Sequence, residues 1–348
     1  VSLEPRRVDD VAIGSLTLTN GRTLDGVIQR ICWYGVSPRA DGANVVYVTH
    51  AMTGSARVAD WWGGIVGPGL LLDTDRLAIL SANILGSCYG STGPMSLAAD
   101  GEPYALRFPV VTVADMVLAQ RTLLGRLGLG SLAAIIGASL GAMQALQWVL
   151  DEPQRFARAI CVAAYETQPA LTLAMHAVAH DAVAQGLNDA GLRLARMINT
   201  VTYKSDHLFE ERFAHRPDRA GGDPRQHILD RFDVGGYLAY QGQRFLERMD
   251  PYTYLVLQRA MDLFDLRERR LVAGPTALTF VGIDSDWLSP ADRIRRSVTR
   301  FAQAGYSAEY RELHSTHGHD AFLVDVRALT ELLQPVFAPL YDALNAET

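Results

Sequence analysis

The sequence predicts an α/β fold, a mostly parallel sheet with an all-helical segment inserted between its two parts. Three observations predict it. Short apolar runs rich in β-branched residues recur along the chain, amphipathic helical stretches lie between them, and the middle of the chain abandons the strand pattern for helical periodicity. The runs are 44–50 (NVVYVTH), 76–83 (RLAILSAN), 132–138 (LAAIIGA), 157–163 (ARAICVA) and 277–283 (ALTFVGI). Continuous apolar runs of this length suit parallel strands covered on both faces. Between them, 112–127 puts Met116, Ala119, Leu123 and Leu127 on one stripe, and 140–150 follows a strand run directly. Strand and helix in alternation build a parallel sheet with helical crossovers. The apolar–polar stretch 308–313 is a candidate last strand.

From about 166 to 266 the strand signal disappears, and 191–203 (GLRLARMINTVTY) and 252–265 read as helices. Pro and Gly in 214–224 (AHRPDRAGGDP) mark a loop within this region. The expected organisation is one core in two parts, 1–165 and 273–348, with a helical lid at 166–272.

Composition narrows the function classes. Of 348 residues, 49 % are hydrophobic and 20 % charged, enough apolar material for a full core and too much for disorder. The 32 basic residues against 38 acidic ones leave a charge of −6, which offers no footprint for nucleic acid. Lys204 is the only lysine, read as a compositional bias toward arginine. Cys32, Cys88 and Cys161 are too few and too scattered for a disulfide framework or a structural zinc site. No apolar run reaches the roughly 18 residues that cross a bilayer. The opening VSLEPRRVDD lacks a signal-peptide core, so a soluble, cytoplasmic protein is expected.

The strongest local signal is Gly137-Ala138-Ser139-Leu140-Gly141, between a strand run and a helical stretch. G-x-S-x-G in that context is a nucleophile elbow, where small flanking residues permit a tight turn that presents the serine Oγ. The helix starting there aims its N-terminal amides at the same spot, which favours a developing oxyanion. A serine nucleophile needs a base, and the base needs an orienting acid. The order Ser139, Asp286, His319 fits, with Asp286 after the 277–283 run and His319 near the C-terminus. Asp284, His314 and His317 are close rivals by position.

At this point the segments carry a resemblance. HAMTGSA (50–56), GPGLLLDTDR (67–76), NILGSCYGSTGP (83–94), FPVVTVADMVLAQ (108–120) and GASLGAMQALQW (137–148) resemble the homoserine O-acetyltransferase family. So do ARMINTVTYKS (195–205), FDVGGYLAYQGQRF (232–245), YLVLQRAMDLFDL (254–266), GIDSDWLSP (282–290) and GHDAFL (318–323). The resemblance implies the α/β-hydrolase fold and selects Asp286 as acid and His319 as base. It implies an oxyanion hole from the backbone amides of Met52 and Leu140. Arg196 would hold an acceptor's α-carboxylate, Tyr203 would add a hydroxyl contact, and Asp320 would accept from its α-ammonium. Arg196 and Tyr203 are seven residues apart, on one helical face within about 20°.

The implied reaction is ping-pong transfer of acetyl from acetyl-CoA, a co-substrate, to a small amino acid. No bound cofactor and no metal are expected, and the lid would make a homodimer. L-homoserine is the leading acceptor. The stretch 167–191 is shorter than the family's and lacks its Gln-Arg pair, which keeps L-serine or a larger hydroxyl compound open. Arg57, where the family often has histidine, keeps a succinyl donor open, and an esterase could use the same triad. His176 and His180 have a helical spacing that can bind zinc, but no glutamate accompanies them and a lid surface is the expected reading. Cys88 reads as a small packed residue.

Overall fold

The computed structural model describes residues 3–346. It opens with β1 (Arg7–Thr17), β2 (Thr23–Gly35) and β3 (Val45–Thr49), then α1 (Val58–Trp62), the two-residue strands β4 (Val66–Gly67) and β5 (Leu72–Asp73), and β6 (Ala78–Ala82). Next come α2 (Val113–Arg126), β7 (Leu132–Ala138), α3 (Leu140–Asp151) and β8 (Phe156–Val162). Five helices follow: α4 (Ala170–Ala184), α5 (Asp189–Thr202), α6 (Asp206–Arg212), α7 (Asp233–Leu246) and α8 (Pro251–Asp262). The chain then returns with β9 (Ala277–Ile283), α9 (Ala291–Gln303), β10 (Ala308–Leu313), α10 (Ala321–Val324) and α11 (Val326–Ala346).

Eight strands form one sheet in the order β1-β2-β6-β3-β7-β8-β9-β10. From β6 to β10 every neighbouring pair is parallel, and β2 joins β6 antiparallel. The apolar runs are strands because both faces are covered. Along β3, Val45 and Tyr47 enter one core cluster while Val46 and Val48 enter the other. On β7, Ile135 and Ile136 part in the same way. Between β3 and β7 the winding reverses direction, since β6 lies on one side of β3 and β7 on the other. In open α/β sheets the crevice beyond the strand C-termini at such a point is where ligands bind.

The N-terminal hairpin β1–β2 is absent from the sequence reading. β1 is an edge strand whose register shifts around Gly14, and Asp10 lies opposite Arg30 in the antiparallel ladder. Charges and bulges are how an edge strand avoids pairing with other chains, and they remove the apolar run that marked the other strands. Asp115 ties this hairpin to α2. It closes a capping box with Thr112 and also accepts from Thr19 N at 2.7 Å and Thr19 Oγ1 at 2.9 Å, which accounts for a fully buried carboxylate.

Between β8 and β9 all the regular elements of more than one residue are helices. The loop read at 214–224 extends in the structure from the end of α6 to Phe232, closed by an isolated bridge between Pro217 and Phe232.

Candidate active site

Ser139 stands between the last residue of β7 and the first of α3. Its φ of +54° with ψ of −123° is a region that residues with a Cβ rarely occupy. The turn is held on both sides: Ser139 N donates to Val162 O at 2.9 Å, and Met143 N donates to Ser139 O at 3.0 Å. β3 packs so closely here that a Cβ on Gly137 would press into Thr49 Oγ1, and one on Gly141 into the Thr49 carbonyl oxygen. Both glycines are required by that approach. Ser139 keeps part of its surface open while Ala138 and Leu140 are buried.

His319 lies in a short 3₁₀ turn, Gly318–Asp320, beyond β10. Its Nε2 is 2.9 Å from Ser139 Oγ and its Nδ1 is 2.6 Å from Asp286 Oδ2. Asp286 follows β9, and its other oxygen accepts from the amides of Leu288 and Ser289 at 2.9 Å each. A carboxylate only accepts, so Nδ1 carries the proton and Nε2 faces the serine as an acceptor. Burial pulls the His319 pKa down, but the charge and hydrogen bond of Asp286, with the charge of Asp320, leave it above the ordinary histidine value. The rivals are engaged elsewhere. Asp284 Oδ2 pairs with the exposed His314 at 2.9 Å, and His317 with Asp325 at 3.0 Å.

Met52 lies in the loop after β3 and Leu140 at the first position of α3. Among the described residues neither amide donates a hydrogen bond, which leaves both available to an oxyanion. The Met52 side chain is buried in the core. His50, which sequence reasoning did not single out, anchors this loop. Its Nε2 accepts from Ile84 N at 3.1 Å, so Nδ1 carries the proton and donates to Ala51 O at 2.8 Å. Burial holds it neutral, its pKa pulled down to about 4.

Arg196 lies on α5 and Tyr203 caps its C-terminus. The guanidinium carbon of Arg196 is 5.5 Å from the Tyr203 ring centre and 5.1 Å from that of Phe245, within cation–π range. The Tyr203 ring centre is in turn 5.8 Å from that of His319. Arg196 Nε is buried with no hydrogen-bond partner, and among the described residues no carboxylate pairs with this guanidinium. Burial pushes the Tyr203 phenol up to about 12, so its hydroxyl remains a donor.

Asp320 carries a partner the sequence did not suggest. Its Oδ2 is 2.7 Å from Nζ of Lys204, the one lysine of the chain. Asp320 N donates to Tyr203 O at 3.2 Å, Trp287 Nε1 to Lys204 O at 2.9 Å, and the Ser205 hydroxyl to Thr316 O. The corner between α5 and α6 is thus clasped to the loops that carry His319 and Asp286. Arg248 was also missed. It donates to Thr53 O at 3.4 Å and lies 5.6 Å from the Phe245 ring centre, bordering the loop after β3 from the helical side. Nothing in its residue type marks it in the sequence.

Other candidates have structural partners. Arg57 is held by Glu4 at 2.8 Å and Asp60 at 2.9 Å on the wall of an open cavity of about 560 Å³. His176 Nδ1 pairs with Asp262 at 2.6 Å and ties α4 to α8, and His180 lies 3.4 Å from Arg259. Cys88 points its sulfur at Arg248 O, and burial pushes the thiol up to about 12.

Comparison with known proteins gives the fold and the family. Residues 44–325 match the family model described as alpha/beta hydrolase fold. The homoserine O-acetyltransferase of Moorella thermoacetica is 38 % identical, over 95 % of this chain and 96 % of that one. The homoserine O-acetyltransferase of Methanocorpusculum labreanum is 37 % identical, over 93 % of this chain and 72 % of that one. Among solved structures, homoserine O-acetyltransferase from Bacillus anthracis superposes with a TM-score of 0.84 at 23 % identity, covering 97 % of both chains. Esterase E22 superposes with the same TM-score at 24 % identity, covering 94 % of this chain and 98 % of that one, a likeness of fold alone. With its sheet order, its elbow and relatives of this similarity along nearly all its length, the chain belongs to the homoserine O-acetyltransferase family, acyltransferases built on the α/β-hydrolase fold.

Proposed function

We propose that the protein transfers an acetyl group from acetyl-CoA to the side-chain hydroxyl of L-homoserine, through an acetyl-Ser139 intermediate. His319 Nε2 takes the Ser139 proton as Oγ attacks the thioester carbonyl. The oxyanion forms between the amides of Met52 and Leu140, and Asp286 stabilises the imidazolium without taking its proton. The intermediate collapses with CoA leaving as its thiol, which receives the proton from His319. The acceptor hydroxyl then gives its proton to His319, attacks the acetyl-serine carbonyl, and leaves as the O-acetyl ester while Ser139 recovers its proton.

The observation that carries this reading is Arg196. A guanidinium without a carboxylate partner, one aromatic ring from the base, is a ready carboxylate site, and simple ester hydrolysis has no use for one. Tyr203 would add its hydroxyl. Asp320 would take the α-ammonium on Oδ1, since Lys204 already occupies Oδ2. Such a clamp holds the acceptor hydroxyl at attack distance, where it outcompetes water of far higher concentration. The expected place is methionine biosynthesis, in the cytoplasm. A homodimer through the helical insertion is supported by exposed Leu171, Val178, Leu194 and Tyr240 on α4, α5 and α7.

The test is thiol release from acetyl-CoA without acceptor, with L-homoserine and with L-serine, against Ser139→Ala. Release that needs homoserine and vanishes in the variant is the expected result. Release needing serine instead would move the acceptor, and the same experiment with succinyl-CoA tests the donor. Equal release with and without acceptor would make the protein a hydrolase.

A further inference from the structure

We propose that Gln144 and Gln120 are positioning residues for acyl transfer: a buried amide relay from Trp148 that sets the spacing of the two oxyanion-hole amides. This rests on the acyl-transfer reading above. Trp148 and Gln144 lie on one face of α3 with Leu140, each four residues from the next, and Gln120 faces them from α2. All three polar side chains are completely buried. A buried amide on a helix face needs partners for both its ends.

The direction of the relay follows from its one unambiguous member. An indole N–H can only donate. Trp148 Nε1 meets Gln120 Oε1 at 2.8 Å, so Gln120 must turn its NH₂ toward Gln144, whose Oε1 accepts at 2.6 Å. Gln144 is thereby obliged to point its own NH₂ outward, where two carbonyls wait: Leu140 O at 3.0 Å and His50 O at 3.3 Å. One group therefore bridges the first turn of the nucleophile helix and the start of the Met52 loop. The Leu140 and Met52 amides, drawn from segments almost 90 residues apart, share this tie. The Thr49 hydroxyl repeats the connection one residue away, donating to Gly141 O at 2.8 Å.

Only a hole already set to its final geometry stabilises an oxyanion without reorganising. A methionine at position 144 has nearly the same shape and no donor, so it releases His50 O while keeping the core filled. The test compares Gln144→Met, Gln120→Met and the double variant. Thermal unfolding and single-turnover acylation and deacylation are measured alongside kcat and KM. Gln144→Met should lower both half-reactions by the same factor, about 10²-fold, with KM for the acceptor unchanged. Gln120→Met, farther from the reacting atoms, should cost about tenfold, and that cost should vanish in the Gln144→Met background. Such coupling in rate distinguishes a relay from independent packing. Multiplicative losses, a fall in unfolding temperature with kcat intact, or a change confined to KM would overturn the inference. If one variant does not fold, the other still reports on its own half-reactions. Ser139→Ala, run in parallel, separates the outcomes: if it keeps activity, the reading of the reaction fails rather than the relay.

Discussion

Replacing Asp286 by asparagine should abolish turnover while leaving the fold intact, because two backbone amides dictate how the new side chain must lie. Oδ1 of Asp286 accepts from Leu288 N and Ser289 N, and Oδ2 faces His319 Nδ1 at 2.6 Å. In Asp286→Asn the side-chain carbonyl has to take the two amide donors, since an NH₂ there would oppose them. The NH₂ is then driven against Nδ1, which must become an acceptor, and the imidazole proton moves to Nε2. Nε2–H now points at Ser139 Oγ, 2.9 Å away, and can no longer receive its proton. The loss of negative charge acts in the same sense, removing the partner that offsets the burial of His319. A wrong tautomer in otherwise intact geometry costs about 10⁴ in kcat, on the order of 5 kcal/mol of barrier. The assay is thiol release with saturating acetyl-CoA and L-homoserine, with Asp284→Asn as the contrast. Asp284 binds an exposed histidine and the Ser315 amide, so its variant should stay within about twofold of wild type, as surface changes do. A folded Asp286→Asn protein within tenfold of wild type would refute the tautomer argument.

Three further outcomes follow from the same geometry. Arg196→Gln should raise KM for the amino-acid acceptor by about 10- to 10²-fold, the worth of a charged hydrogen bond, while acylation of Ser139 measured by intact mass keeps its rate. Asp320→Asn should shift the acidic limb of kcat/KM to lower pH: the carboxylate favours the His319 imidazolium, so its removal lowers that pKa and keeps the neutral base to lower pH. A limb unmoved or shifted upward would contradict this sign. Gly141→Ala should cost about 3 kcal/mol, because its methyl meets the Thr49 backbone and not a movable side chain, and calorimetry should show a fall of several degrees in unfolding temperature.

What the sequence made legible was whatever is encoded locally. β3, β6, β7, β8 and β9 were readable because burial on both faces writes a continuous apolar run. The elbow was readable because a strained turn against a neighbouring strand admits only small residues, and those stand within two positions of Ser139. β1 and β2 were not, because an edge hairpin with bulges and cross-strand charges carries no such run. Asp284 and Asp286 are two residues apart and chemically identical, and only the turn after β9 decides which one faces inward. The partners of His50, Gln144 and Lys204 lie 34, 94 and 116 residues away, so no pattern along the chain announces them. A glutamine on the otherwise apolar face of 140–150 is the one trace that could have drawn attention to the relay.

For the acyl transfer proposed above, the α5–α6 corner gives a physical account of how an acceptor is placed on this scaffold. A hydrolase needs the elbow, the base and the oxyanion amides, all of which belong to the sheet and its loops. The proposed acceptor clamp would come from outside the sheet and hold its ligand in register with His319 Nε2. Here Arg196 lies on α5 and Tyr203 caps it, and residues 203–205 bind the loop that carries His319 through Lys204 with Asp320, Ser205 with Thr316 O, and Asp320 N with Tyr203 O, while Trp287, beside Asp286, donates to Lys204 O. Gly318 permits this contact, since its φ is +65° and a Cβ there would collide with the backbone of residues 203–205. Three ties over residues 203–205 thus join the C-terminal end of α5 to the loop that carries His319. In the proposed reaction, this joint would keep the distance between acceptor and base independent of the rest of the helical insertion. Lys204, the chain's one lysine, at that joint also gives Asp320 a fixed cation, which holds its carboxylate near His319.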